Sequence, residues 1–184
     1  GGAAGQLFNE AMYDVLEGGF TDTGPDGVSL FDASHPVDKT GGTVSNLGTT
    51  ALDFAALAAA RAVMRRSKTS SGMKLRSEPQ FLIVPPETTD VANQLVSSAV
   101  TGAGLQTNTF AGQLQVISSA YIVDANDWFL ASAQNKHQLK MYLAKGPTPE
   151  MRIDPKTKAL VMDDIVVFDS GYDDFRGTFG ANVS

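Results

Sequence analysis

The amino-acid sequence predicts an α+β protein, because helical patterns dominate its first half and strand patterns its second half. Residues 51–66 are rich in Ala and Leu, which have high helix propensities. Residues 87–100 place apolar side chains on one helical face. Beyond residue 112 the apolar segments are short and bounded by turn-forming residues, as strands are. The 184-residue length and 42% apolar content favour one domain, or one domain with a sub-lobe.

Two helices are predicted in the first 66 residues. Residues 6–17 carry apolar side chains on one face, and Gly18–Gly19 provides a stop signal. Residues 51–66 follow Thr50, which we expect to be the N-cap. Asp53 stands three residues later, at the spacing of a capping box.

The remaining chain is predicted to contain a third helix and a series of strands. Residues 87–100 form the helix, and Gly102 and Gly104 are expected to end it. Residues 154–157 predict a hairpin turn. The predicted strands are 80–84, 113–117, 119–123, 128–132, 138–144, 150–154, 158–162 and 164–169.

Residues 18–50 are rich in Gly, Asp, Thr, Ser and Pro, which predicts a long loop. Asp26–Gly27 and Gly41–Gly42 are candidate tight turns within it. A loop of this length suggests an interface, or a segment built from short strands. The last eight residues, 177–184, are mostly small and polar.

Composition excludes several kinds of chemistry. The chain has no Cys, so disulfides, thiolate metal sites and cysteine nucleophiles are excluded. Only two His residues are present, which leaves little for imidazole metal sites. The formal net charge of -6 argues against a protein that reads nucleic acid by neutralising phosphates. No segment approaches the roughly 18 apolar residues that cross a bilayer, and no leader precedes a cleavage site, so no membrane partner is expected.

Asp32, Ser34 and His35 are the nearest set to a nucleophilic triad. Three residues so close in one loop seldom converge in that geometry, so a turn or interface role for His35 is favoured. His137 is expected to be an exposed loop residue.

Carboxylate pairs and glycine runs also fail to match known site patterns. The pairs Asp163–Asp164 and Asp173–Asp174 do not fit the pattern of a calcium-binding loop. The Asp residues of the long loop do not fit it either, namely Asp22, Asp26 and Asp32. Solvated turns are therefore favoured for all of these residues. Gly102–Gly104 follows a helix rather than a strand and therefore predicts a terminator. Residues 128–130, Trp-Phe-Leu, are expected in the core.

One basic cluster stands out in the sequence. A solvated helix end is favoured for it, and contact with an acidic neighbouring subunit is the alternative. Its members are Arg61, Arg65, Arg66, Lys68, Lys74 and Arg76.

Several motifs follow one another in a recognisable order. The long loop holds DGVSLF at 26–31, SHP at 34–36 and GGTVSNL at 41–47. The segment 79–87 reads PQFLIVPPE, and DWFL occupies 127–130. Together, over residues 8–175, they make the sequence resemble the major capsid proteins of tailed phages, particularly the Mu-like prophage major head subunit group.

The resemblance implies the tailed-phage capsid fold, with an axial and a peripheral domain. By order along the chain, residues 1–20 correspond to the end of the peripheral spine helix. Residues 21–133 correspond to the axial domain, and residues 134–184 to the returning peripheral strands and C-terminus. The family's N-terminal arm and extended loop have no counterpart here, and we expect them to precede Gly1.

The resemblance also implies a function: a structural subunit of a phage or prophage capsid, made in the bacterial cytoplasm, which encloses DNA by self-association into pentamers and hexamers. Implied partners are copies of itself, the portal and the maturation protease, with at most non-specific contact with packaged DNA. No enzymatic activity, catalytic residue, cofactor or metal is expected. Two alternatives stay open, namely a small hydrolase using Asp32, Ser34 and His35, and a nanocompartment shell protein of the same fold.

Overall fold

The computed structural model describes residues 3–36, 42–98, 100–101, 106–108, 110–134 and 136–183. In chain order its elements are α1 (Ala3–Gly18), β1 (His35–Pro36), β2 (Thr43–Val44), β3 (Leu47–Gly48), α2 (Phe54–Arg66), β4 (Pro79–Val84), α3 (Thr89–Ser97), β5 (Val100–Thr101), β6 (Gln106–Thr107), β7 (Gln115–Ser118), β8 (Trp128–Ser132), β9 (Leu139–Ile153), β10 (Leu160–Tyr172) and β11 (Thr178–Ala181).

Five of these strands form one mixed sheet, in the order β3-β11-β8-β4-β7. Strand β8 is antiparallel to both of its neighbours, β11 and β4. The outer pairs, β3 with β11 and β4 with β7, are parallel. Helix α2 connects β3 to β4, and α3 connects β4 to β7, so both lie in crossovers between parallel strands.

Both faces of this sheet are buried. Leu82 and Leu130 belong to a core cluster with residues of α2 and α3. Ile83 and Phe129, their neighbours in sequence, belong to a second cluster with α1 and the loop after it. Because both faces are covered, residues 81–84 of β4 and 128–131 of β8 are apolar runs without alternation. The prediction that residues 128–130 lie in the core is confirmed, since all three are buried.

The predicted N-cap of α2 was wrong. Asp53 is the N-cap, and its side chain accepts a hydrogen bond from the backbone N–H of Ala56. Thr50 lies three residues earlier, where its carbonyl oxygen accepts the indole N–H of Trp128 at 3.0 Å. That bond ties Thr50 to the sheet, so the helix begins only after Asp53.

The other helices agree with the predictions in position more than in length. Helix α1 extends to Ala3, beyond the predicted start. Helix α3 is shorter than predicted, because Pro86–Thr88 forms a 3₁₀ turn before it and Ser98 ends it. The predicted stop at Gly102 and Gly104 lies outside the described residues.

The strand predictions succeeded where an apolar run was long or central. Strands β4, β7 and β8 are close to their predicted positions. The strand predicted at 119–123 was wrong: this segment turns, with the Ser119 hydroxyl accepting the N–H of Tyr121, while Ile122 enters the core. Residues 177–184 were predicted only as small and polar, yet they contain β11, whose residues are all buried.

The predicted strands between residues 138 and 169 merge into one long hairpin of β9 and β10. Asp154 confirms the predicted turn, because its carboxylate accepts the N–H groups of Lys156 and Thr157. The base of the hairpin packs on α1 through Phe8 and Phe168, whose ring centroids are 4.8 Å apart.

In the long loop, the Asp26–Gly27 turn is confirmed, since Gly27 has a positive φ of 88° and donates to the Gly24 carbonyl. Gly41 lies outside the described residues. Strand β11 follows the hairpin and returns to the five-stranded sheet, which therefore holds residues from both 21–133 and 134–184. The assignment of those ranges to an axial and a peripheral domain stays a prediction.

We predict that Asp53→Ala lowers the free energy of unfolding by about 1 kcal/mol, because the helix loses its N-cap acceptor. Thr50→Ala is the matched control, since only the backbone of Thr50 is engaged, and it should cost less than about 0.5 kcal/mol. Urea denaturation of both variants measures this. A larger loss of stability for Thr50→Ala than for Asp53→Ala would instead indicate that Thr50 is the N-cap.

Candidate interaction surface

The set Asp32, Ser34 and His35 does not form a catalytic triad. The Ser34 hydroxyl donates to Asp32 at 2.8 Å rather than to His35. Hydrogen bonds from the hydroxyl and backbone N–H of Ser34 lower the pKa of Asp32. His35 is fully buried, whereas Ser34 is exposed. No base is therefore aligned with the hydroxyl, and the triad hypothesis lacks its geometry.

His35 instead belongs to a buried polar network. Its Nδ1 lies 2.7 Å from the Asp26 carboxylate, and its Nε2 lies 3.0 Å from Asn46 Oδ1 and 3.2 Å from the Leu30 carbonyl. The ring stacks on Phe175 with centroids 3.7 Å apart. The network thus joins the long loop to the segment before β11, which supports the predicted turn role of His35.

Asn46 continues this network to the sheet. Its Nδ2 donates to the carbonyl oxygens of Leu30 and Thr178, and its Oδ1 accepts the backbone N–H of Asp32. Asn46 is buried, so each of these groups needs a partner. The role of Asn46 was not predicted, because a single Asn in a turn-rich loop has no distinguishing sequence pattern.

The other candidate residues are engaged locally. Asp173 pairs with Lys140, and Asp174 pairs with Arg176 at 2.8 Å. Asp163–Asp164 lies within β10, not in the predicted turn. His137 is half-buried rather than exposed, and burial lowers its pKa. Within the described residues, no cluster of His, Asp or Glu is suited to hold a metal, and no helix is long and apolar enough to cross a membrane.

Three carboxylates approach one another beside the start of β8. Burial raises the pKa of Asp127, and the negative charge of Asp124 raises it further, against a hydrogen bond from the N–H of Val183. Burial likewise raises the pKa of Glu17, with Asp127 and Asp124 adding to the effect and the N–H of Val123 opposing it. Ionisation of Asp127 and of Glu17 is therefore less favourable in the folded protein than in the unfolded chain.

Eight of the twelve large apolar residues that are exposed in the described structure belong to the hairpin. Ile153 lies directly opposite Leu160, and Met151 lies opposite Met162, so all four side chains share one face. Each is between 61% and 69% exposed. We call this set the hairpin apolar face. Close to the turn, the other face carries the charged residues Arg152 and Glu150. Farther along β10, that face also exposes Ile165 and Val167.

The hairpin also has unpaired edges. In the part of the chain that the structure describes, β9 and β10 pair with each other and with no further strand. Isolated two-stranded ribbons are marginal in water, and apolar patches on open edges are typical of protein interfaces. This geometry is suited to contact with another protein chain. The sequence pattern predicts the strands but does not indicate that their apolar residues share one exposed face.

We predict that His35→Ala lowers the free energy of unfolding by about 2–4 kcal/mol, because it removes the contacts of a fully buried ring with Asp26 and Asn46 and opens a cavity against Phe175. Ser34→Ala, the control, should cost less than about 0.5 kcal/mol, since its hydroxyl is exposed. Urea denaturation distinguishes the two. Equal losses would mean that the buried network is not what stabilises the loop.

We predict that Asp127→Asn stabilises the protein at pH 7. The amide keeps an acceptor for the N–H of Val183 but carries no buried charge. A carboxyl whose pKa is raised on folding becomes less destabilising as the pH falls through its folded pKa, so the advantage should shrink towards about pH 4. Urea midpoints between pH 4 and 7 measure it. A pH-independent difference would contradict the argument.

Comparisons with known proteins agree with this architecture. A family model of phage capsid proteins matches residues 1–181. No curated protein sequence matches the chain. The fold is similar to that in the capsid of bacteriophage JBD30 decorated with minor capsid protein trimers, with a TM-score of 0.55 and 18% identity over 65% of this chain and 63% of that one.

Two further solved structures are similar. The bacteriophage JBD30 capsid gives a TM-score of 0.54 and 19% identity, covering 65% of this chain and 64% of that one. A phage-related protein from Bordetella bronchiseptica RB50 gives 0.50 and 12%, covering 83% and 55%. The chain thus spans less than two thirds of each of these chains. Their low identities establish likeness of fold, and the family model, which covers nearly every residue, establishes that the chain belongs to the phage capsid protein family.

Proposed function

We propose that this chain is a structural subunit of a tailed-phage or prophage capsid, which encloses DNA by association of many copies and resides in the virion. Membership of the phage capsid protein family supports this function. The observation that carries it is the hairpin apolar face, an exposed surface on a ribbon with unpaired edges. Such a surface is suited to contact rather than to catalysis.

The contact with neighbouring copies would be heterologous. A closed shell or ring forms when one surface of a subunit meets a different surface of the next and the rotation closes. Burial of an Ile, Leu or Met side chain contributes roughly 1.5–3 kcal/mol, so the four residues of the hairpin apolar face together supply a large share of a subunit contact. The backbone edges of β9 and β10 add hydrogen-bonding groups that a neighbour could pair with.

The finer features of the proposal follow the family resemblance. We propose the portal and the maturation protease as further partners, pentamers and hexamers as the assembly units, and at most non-specific contact with packaged DNA. The Mu-like subgroup and the division into axial and peripheral domains belong to the same proposal. Self-assembly needs no catalytic group, and His35 is bound to Asp26 and Asn46 instead of facing the Ser34 hydroxyl as the base of a hydrolase would.

We predict that the double variant Ile153→Thr with Leu160→Thr weakens self-association of the protein at least tenfold. Threonine keeps the β-propensity of the strands but removes apolar surface, which costs on the order of 1 kcal/mol or more per side chain. Sedimentation analysis over a concentration series gives the association constant, and electron microscopy shows whether rings or shells form.

The matched control is Ile165→Thr with Val167→Thr, because these exposed residues alternate onto the other face of β10. This control should retain most of the association. A wild-type protein that remains monomeric at every concentration, or a control that loses association equally, would count against the hairpin apolar face as the contact.

A further inference from the structure

Charge is strongly segregated in this chain. Residues 61–76 contain six basic residues and no acidic residue. The rest of the chain holds 8 basic and all 20 acidic residues. Although the protein has a net charge of -6, residues 61–76 form a positive segment free of acidic residues. It begins in α2 and continues through the loop that leads to β4.

Four of these basic side chains define what we call the basic surface, namely Arg66, Lys68, Lys74 and Arg76. All four are exposed, and in the described structure none has an acidic partner. The neighbouring carboxylates are already engaged, because Glu78 pairs with Arg65 at 2.8 Å and Asp174 pairs with Arg176 at 2.8 Å. The positive charge is therefore available to an external group.

The loop that carries the basic surface is held by its backbone. Lys68 and Lys74 lie opposite each other in an isolated β-bridge, and the N–H of Leu75 donates to the Ser67 carbonyl at 3.0 Å. Like charges opposite each other on paired strands are locally unfavourable. The pairing of Lys68 with Lys74 therefore does not stabilise the loop itself, which favours a role for both side chains in contact with a negatively charged partner.

An acidic surface lies at the other end of the same sheet. In the antiparallel pair of β4 and β8, Pro79 pairs with Ser132 and Ile83 pairs with Phe129. The loop before β8 therefore lies opposite to the loop before β4. We define the acidic surface as the exposed carboxylates Glu87, Asp90 and Asp124, which come from the 3₁₀ turn after β4, from α3 and from the loop before β8.

The sequence around the acidic surface carries no basic residue. The segments 10–20, 85–98 and 119–127 contain no Lys or Arg. Strand β4 has six residues, so at about 3.3 Å per residue the two surfaces are roughly 20 Å apart. That distance exceeds the Debye length of about 8 Å at physiological ionic strength, so within one copy the two surfaces do not neutralise each other.

We propose that the basic surface of one copy docks on the acidic surface of a second copy, head to tail. This inference rests on the proposed function, since it assigns a second contact to the same self-association. Opposite charges at opposite ends of one module match the heterologous contact that a ring requires. Each surface also exposes an apolar side chain that could be buried in the contact, Met73 at 66% and Val123 at 87%.

DNA is the competing occupant of the basic surface, because Lys and Arg also neutralise phosphates. A second copy is favoured for two reasons. DNA binding would leave the acidic surface without a partner, and the excess of acidic residues outside residues 61–76 would oppose the approach of a polyanion. The experiment therefore measures both self-attraction and DNA binding.

Static light scattering gives the second virial coefficient, which detects attraction between copies even without a stable complex. We expect a negative coefficient for the wild-type protein at low salt, rising as salt screens the contact.

Charge-reversal variants test the two surfaces separately. Lys68→Glu with Lys74→Glu should make the second virial coefficient positive, as should Glu87→Lys with Asp124→Lys. An equimolar mixture of these two variants should recover the attraction, because the reversed surfaces complement each other. The control for the Lys68 and Lys74 variant is Lys156→Glu with Lys158→Glu in the hairpin turn, which changes the net charge by the same amount. This control should retain the attraction.

Near-ultraviolet circular dichroism establishes that each variant is folded. Failure of the mixture to recover attraction, or an equal effect of the control, would overturn the proposal. Binding of a labelled DNA duplex that Lys68→Glu with Lys74→Glu abolishes, without any change in self-attraction, would overturn it in favour of DNA. If attraction responds only to Ile153→Thr with Leu160→Thr, the hairpin contact stands and this inference alone fails.

Discussion

The insertion of β11 between β3 and β8 is the constraint on which the rest of the structure depends. This strand joins the last residues of the chain to the long loop on one side and to the central strand β8 on the other. The approach is close: a Cβ atom on Gly180 would lie 2.6 Å from the Phe31 ring. The buried Asn46 reinforces the junction by donating to both Leu30 and Thr178.

That junction also anchors the hairpin. Strand β10 ends only a few residues before β11, and the segment between them carries Phe175, which stacks on His35. On its other side the hairpin base packs on α1, where the Ser170 hydroxyl donates to the Ala11 carbonyl. The base is therefore packed against the core, whereas the apolar face of the distal part is uncovered. A firmly anchored ribbon with a free end can present a defined surface to a neighbour.

Buried polar groups in this protein serve cohesion rather than catalysis. His35 and Asn46 use their ring and amide atoms to connect segments that are distant in sequence, and Asp127 accepts a hydrogen bond from Val183 near the end of the chain. The surface, by contrast, combines two kinds of contact with different physical behaviour. Burial of the hairpin apolar face would be little affected by salt, whereas the charged ends of the sheet attract over a range that salt shortens. Association through both kinds of contact would gain affinity from burial of the hairpin apolar face and orientation from the charged surfaces.

The sequence by itself determined the α+β class, the helices α1 and α2, the central strands β4 and β8, and the hairpin turn at Asp154, because these depend on local propensity and periodicity. The motif series was also sufficient to indicate the capsid family. Only the tertiary structure decided that Asp53 rather than Thr50 caps α2, since the Thr50 carbonyl is drawn to Trp128 across 78 residues of chain. It likewise decided that the weakly patterned β11 is a central strand and that four apolar residues of the hairpin share one exposed face. Those features arise from pairing between distant segments, which local sequence patterns do not encode.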